Sequence, residues 1–133
     1  MKKITLVLIL CILASFAVKA QTDSLEKEKI YTSIEILPSF PGGMQAFSKF
    51  VTKTLRYPAL ARENNTQGRV LVSFIVERDG SLSDVKVSRG IGDGCDEEAQ
   101  RIVKLSSPWK PGMQGGDSVR VAYSVPVSFA LSN

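Results

Sequence analysis

The chain has 133 residues, with 17 basic against 13 acidic side chains and no histidine. That length fits one domain, and the missing histidine removes the commonest metal ligand and general base. The sequence pI of about 9.2 overstates the basicity of the fold: Lys2, Lys3 and Lys19 lie in a leader, and the other 113 residues carry 14 basic against 13 acidic groups, with no basic stripe for nucleic acid.

Residues 1–20 read as a cleaved secretory signal peptide. Lys2 and Lys3 form the basic start, Ile4 to Val18 is uncharged and apolar, and Val18-Lys19-Ala20 supplies the cleavage signal before Gln21. The apolar run of 15 residues is shorter than the roughly 20 that cross a bilayer as a helix. A membrane-anchored transducer is the alternative if the signal is retained. Cys11 follows Leu10 rather than a small residue, and the apolar run continues past it, so it is not read as a lipidation site. Removal of the signal leaves Cys95 as the one cysteine, which excludes an internal disulfide.

Residues 21–36 are expected to be a flexible leader with a candidate short strand. Gln21 to Lys29 is polar except for Leu25. Tyr31 to Leu37 alternates through Ile34 and Ile36 and stops at Pro38. The domain proper is expected over residues 37–131. Pro41-Gly42-Gly43 opens a helix whose Met44, Phe47, Phe50, Val51 and Leu55 share one face, with Lys49 and Lys53 opposite. Tyr57-Pro58 ends it, Pro58 suits the first turn of a short helix over Ala59 to Glu63, and Asn64-Asn65 is a left-handed stop.

Residues 69–78 predict a strand with Val70, Val72, Phe74 and Val76 on one face and Leu71 and Ile75 on the other. Apolar residues on both faces mark it as central. Asp79-Gly80 is a hairpin turn, and Ser81 to Ser88 returns with Val85 and Val87 together. A glycine loop, Gly90 to Gly94, leads into a helix over Cys95 to Leu105. Asp96, Glu97 and Glu98 in its first turn and Arg101 and Lys104 near its end complement the helix dipole. Pro108, Pro111 and Gly112 form a stiff loop around Trp109, and Gly115-Gly116-Asp117 turns into the last strand, Val119 to Leu131. There the odd positions are Val, Tyr, Phe or Leu and the even ones Arg, Ala, Ser or Pro, the period of a half-buried strand. Pro126 lacks an amide hydrogen, which marks an edge, and an open edge is a template for another backbone.

The candidates for chemistry read as structural. The glycine loop is neither a dinucleotide fingerprint nor a phosphate loop, and nearby carboxylates repel phosphate. Cys95 sits at a helix start, which lowers a thiol pKa, but three carboxylates oppose that and it falls on the buried stripe. Ser83 to Lys86 and Ser107 to Lys110 match a Ser-x-x-Lys spacing, one in a strand and one across a proline, so neither forms a helical dyad. Asp96, Glu97 and Glu98 are consecutive on a helix and do not converge as an acid/base pair. Trp109 reads as a lid on the core, with a partner-binding aromatic as the alternative. No catalytic residue, metal ligand or cofactor is assigned.

Pro41-Gly42-Gly43, Tyr57-Pro58-Ala59, Gly68-Arg69-Val70, Asp79-Gly80, Gly94-Cys95-Asp96-Glu97-Glu98-Ala99, Trp109-Lys110-Pro111-Gly112 and Val125-Pro126-Val127 occur in this order. With these landmarks the stretch from Leu37 to Leu131 resembles the TonB C-terminal domain family, in the form common in Bacteroidetes. The resemblance implies an α+β fold, a three-stranded antiparallel sheet with helices packed on one face. It also implies a periplasmic energy-coupling role, in which TonB-box peptides of outer-membrane TonB-dependent receptors add a strand beside the last strand. The expected partner-binding residues are Val119, Arg120, Val121, Ala122, Tyr123, Ser124 and Val125. Tyr57, Pro58, Asp79, Gly80, Cys95, Trp109, Pro111, Gly112 and Pro126 are expected to be structural. Other TonB-system proteins or a second copy are further expected partners. The alternative is an envelope-interaction or structural module that kept the fold without receptor binding.

Relative to a full TonB, the chain shows no retained membrane helix, no proline-rich spacer and no membrane-helix histidine, and its leader of about nine residues reaches at most roughly 32 Å. The sequence therefore predicts a domain that binds rather than one that transmits force by itself.

Overall fold

A computed structural model describes residues 30–31 and 34–132. The predicted signal peptide and the polar stretch from Gln21 to Lys29 lie outside the described residues. The elements are β1 (Ile30–Tyr31), α1 (Gly43–Thr54), α2 (Ala59–Glu63), β2 (Gly68–Val76), β3 (Leu82–Arg89), α3 (Cys95–Leu105), β4 (Gly112–Gln114) and β5 (Asp117–Phe129).

The fold is α+β, and its sheet runs β1-β5-β2-β3, with β4 paired to the start of β5. The expected three antiparallel strands are there, with β2 central as its two-faced pattern required. The sheet proper nevertheless has four strands rather than three, because Ile30 and Tyr31 pair in parallel with Arg120 and Val121. The candidate strand at Tyr31 to Leu37 is corrected as well. The ladder lies at its first residue and the one before, and Ile36 makes an isolated bridge to Met113 instead. The stiff loop after Trp109 contains a strand. β4 and β5 form a hairpin closed by Gly115-Gly116, both at positive φ (59° and 84°), the conformation of the tightest hairpin turns.

Alternation places Val70, Val72, Phe74 and Val76 of β2 and Val121, Val125, Val127 and Phe129 of β5 on one buried face. α3 packs there against β2 and β3 through Cys95, Ala99, Ile102 and Val103, and α1 adds Phe47 and Val51 to the same core. Each buried Val, Ile or Phe side chain among these contributes on the order of 1.5–3 kcal/mol. In β3 a bulge at Asp84 (φ 50°) shifts the register, so Leu82, Val85 and Val87 all reach the core side.

Trp109 is the hub of the aromatic core. Its ring lies 5.1 to 5.9 Å from those of Phe40, Phe47, Phe74 and Tyr123, all edge to face, and its indole N–H donates to Ser106 Oγ at 2.9 Å. Tyr57 seals the far end: its ring meets Phe129 edge to face at 5.8 Å and its hydroxyl donates to the Thr66 carbonyl. Glu98, whose side chain is 9% exposed, ties the two long helices together. It accepts Arg101 Nε and the Arg56 amide, both at 2.6 Å, while Arg101 caps the end of α1 at the Thr54 carbonyl (3.0 Å).

Candidate functional site: the outer edge of β5

β5 has two edges of different character. One is covered by β2 from Val121 to Phe129 and by β4 from Asp117 to Val119. The other carries only β1, at Arg120 and Val121. No described segment pairs with it from Ser124 to Phe129.

The orientation of its hydrogen-bonding groups follows from two pairs. Pro126 stands opposite Leu71 and has no N–H to exchange. Ser124 stands opposite Ser73, and their hydroxyls are 3.3 Å apart, the closeness of side chains in a non-hydrogen-bonded pair. Even-numbered residues of β5 therefore turn their amides and carbonyls away from β2. Tyr31 lies opposite Val121, whose own groups face β2, so β1 must bond to the flanking groups of Arg120 and Ala122. Between β1 and the end of β5 the donors left on the outer edge are Ser124 and Ser128, separated by the gap at Pro126.

The expected contact residues thus divide. Val119 lies in the β4 ladder, and Arg120 through Ala122 lie beside β1. Tyr123 and Val125 point inward as side chains, and Ser124 is open. The Arg120 side chain is held on Glu77 by two bonds, Nε to Oε2 at 2.7 Å and an Nη to Oε1 at 3.1 Å, and Ser83 Oγ donates to the same carboxylate at 2.6 Å. The Arg120 guanidinium, together with the Ser83 hydroxyl, holds the Glu77 carboxyl below the usual carboxylate range against a smaller opposing effect of burial. This clamp fixes the end of the edge where β1 sits.

A groove of about 400 Å³ runs between α1 and this edge. Phe47 and Val51 line it from the core side, Met44, Ser48 and Thr52 from α1, and Arg69, Pro126 and Ser128 from the sheet. Met44 is 47% exposed there, an apolar side chain facing solvent beside unpaired backbone. Arg69 and the α1 residues were not among the expected contacts. The readable signal was the outward parity of Arg69 in β2, but its meeting with α1 and Ser128 is a tertiary event.

The residues weighed for chemistry have other partners. Cys95 is fully buried. Burial, then the charges of Asp96, Asp93, Glu97 and Glu98, push its thiol pKa up, the reverse of an activated nucleophile. Asp96 Oδ1 accepts the amides of Ile91 (2.9 Å) and Gly92 (3.2 Å), so a carboxylate of the chain fills the anion-binding amides of the glycine loop. Among the described residues no group of three or more His, Cys, Asp or Glu side chains converges to hold a metal. No helix among them is long and apolar enough to cross a membrane.

Residues 53–131 match the family model described as Gram-negative bacterial TonB protein C-terminal. The chain is 39% identical over 77 residues to Protein TonB of Haemophilus influenzae; that stretch is 57% of this chain and 27% of the relative, so the chain spans about a quarter of that protein. Two NMR solution structures of Helicobacter pylori TonB-CTD share the fold at 24% identity. One has a TM-score of 0.53, with 68% of this chain and 81% of that chain covered. The other has a TM-score of 0.51, with 68% and 95% covered.

Proposed function

The chain belongs to the TonB C-terminal family of Gram-negative bacteria, and from that premise we propose that it is a periplasmic, non-catalytic domain that captures an extended peptide on the outer edge of β5. The peptide class is the TonB box of outer-membrane TonB-dependent receptors, and the role is the capture step of transport energy coupling.

The observation that carries this reading is β1 itself. A two-residue segment of the chain already lies on this edge as an added strand, and the edge runs on unpaired beyond it. A peptide of about nine residues laid along Arg120 to Ser128 would replace β1. It would use the edge donors of Arg120, Ala122, Ser124 and Ser128 in place of the two-residue ladder. Each backbone bond contributes about 0.5–1.5 kcal/mol net, so the longer ladder offers more bonds to set against the tethered β1 and the entropy of association.

Amide exchange with a synthetic TonB-box peptide tests this. Protection should rise at Ser124, which is open without peptide, and the Tyr31 amide should lose its own. Protection confined to Ser128 and beyond would sink the proposed register. The second reading, an envelope module with a closed edge, is favoured by the same β1 ladder. It predicts that the Tyr31 amide stays protected at saturating peptide, and that receptor plug domains fail to retain the protein in a pull-down.

A further inference from the structure

We propose that Arg69 selects for an acidic side chain on the added strand, at the position opposite Ser128. The inference rests on the strand-addition reading and deepens it by naming one feature of the ligand. Arg69 is exposed and stands across the ladder from Ser128, and both line the groove beside α1. It is the one charged residue among the described lining residues, and no described residue makes an ion pair or hydrogen bond with its guanidinium. This sets it apart from Arg101 and Arg120, which are held by Glu98 and Glu77.

Geometry sets the position. Cross-strand neighbours share a face, so a peptide residue opposite Ser128 lies on the same side of the sheet as Arg69. Its Cα is two strand spacings away, about 10 Å. An arginine and a glutamate side chain reaching towards each other over Ser128 close that distance. The neighbouring groove wall, Met44, Ser48 and Thr52, is neutral, and Pro126 offers neither charge nor amide. A cation beside uncharged walls, next to unpaired backbone, favours an extended peptide with one carboxylate over a neutral or basic one. The site is open to solvent, so the preference is modest and depends on salt.

The test uses the whole protein and synthetic nine-residue peptides of alternating threonine and valine, with one threonine replaced in turn by glutamate or by glutamine. Fluorescence anisotropy gives the affinity and amide exchange gives the register. In the peptide whose substituted residue falls opposite Ser128, glutamate should bind about threefold more tightly than glutamine at about 0.1 M salt, and the ratio should approach one at 1 M. Arg69→Gln should bring the ratio to one at low salt. Arg69→Glu should reverse the preference towards a lysine peptide. Lys104→Gln, which removes a positive charge from α3, should leave the ratio unchanged. Equal binding of both peptides to the unaltered protein, with Ser124 and Ser128 protected, overturns the role of Arg69 and leaves strand addition standing. The same follows if protection stops at Ser124. No gain of protection at Ser124 with any peptide overturns the strand-addition reading and this inference together.

Discussion

Gly80 lies against the backbone of Trp109. The Trp109 amide donates to the Gly80 carbonyl at 2.8 Å, and a Cβ placed on Gly80 would come within 2.2 Å of the Trp109 carbonyl oxygen. Gly80 also holds φ 89°, so glycine is required both for the turn and for the close approach. The contact fastens the β2–β3 turn to the segment that carries the aromatic hub. Gly80→Ala should destabilise the fold by about 2–3 kcal/mol, read as a lower urea midpoint from the fluorescence of the single tryptophan. An unchanged midpoint would show that the turn is not fastened there.

Trp109 fills a site walled by four aromatic rings, with its N–H on Ser106. Trp109→Ala should cost about 3–5 kcal/mol, with a cavity left at the centre of the core. Trp109→Phe keeps most of the ring contact and loses the Ser106 bond and some volume, so its cost should be smaller, about 1–3 kcal/mol. Thermal unfolding followed by far-UV circular dichroism gives the order. Equal losses would mean that the ring contacts a phenylalanine keeps contribute nothing, and that the whole cost lies in the indole edge and its hydrogen bond.

Acid should weaken the clamp between β2 and β5. The folded pKa of Glu77 is lowered from 4.5, first by its bond to Arg120. The stabilisation is therefore fully present above the unfolded pKa and is lost as pH falls through the lower folded value. Urea unfolding from pH 6 to pH 3 should show the wild type losing up to about 1 kcal/mol more than Glu77→Gln. Glu98, lowered in the same direction against the opposing effect of burial, is present in both proteins and cancels in the difference. Parallel pH curves would refute the assignment.

The edge makes two opposite predictions. Ser124→Pro removes a free donor whose amide faces away from β2, so the fold should survive while peptide affinity falls about three- to tenfold, the loss of one backbone bond. Tyr31→Pro removes a donor from β1, the internal competitor, and should raise peptide affinity about two- to fivefold. Isothermal titration calorimetry with one TonB-box peptide measures both. A loss of affinity in Tyr31→Pro would mean that β1 supports the ligand instead of yielding to it.

The parity of the last strand was legible because a period of two is written into every second residue. It placed Val121, Val125, Val127 and Phe129 inward and turned the even amides outward, and the ladder with β2 keeps that pattern. The helix over Cys95 to Leu105 and its stripe were legible for the same reason at a period of 3.6. β4 was missed although Gly115-Gly116 between Met113 and Val119 is a hairpin signature, because three residues are too few to show a period. The bulge at Asp84 has no pattern of its own; it appears only when β3 must pair with β2.

What the sequence by itself determined is the family, the inward and outward sets of each long element, and an open-edge strand marked by Pro126. These depend on residues a few positions apart, whose order the chain itself carries. Only the tertiary structure decided how much of that edge is free. It brought Ile30 and Tyr31 to Arg120 and Val121, some 90 residues away in sequence, and set α1 and Arg69 beside Ser128 to form the groove. The outcome of such pairings depends on where every intervening element packs, and no local periodicity encodes that.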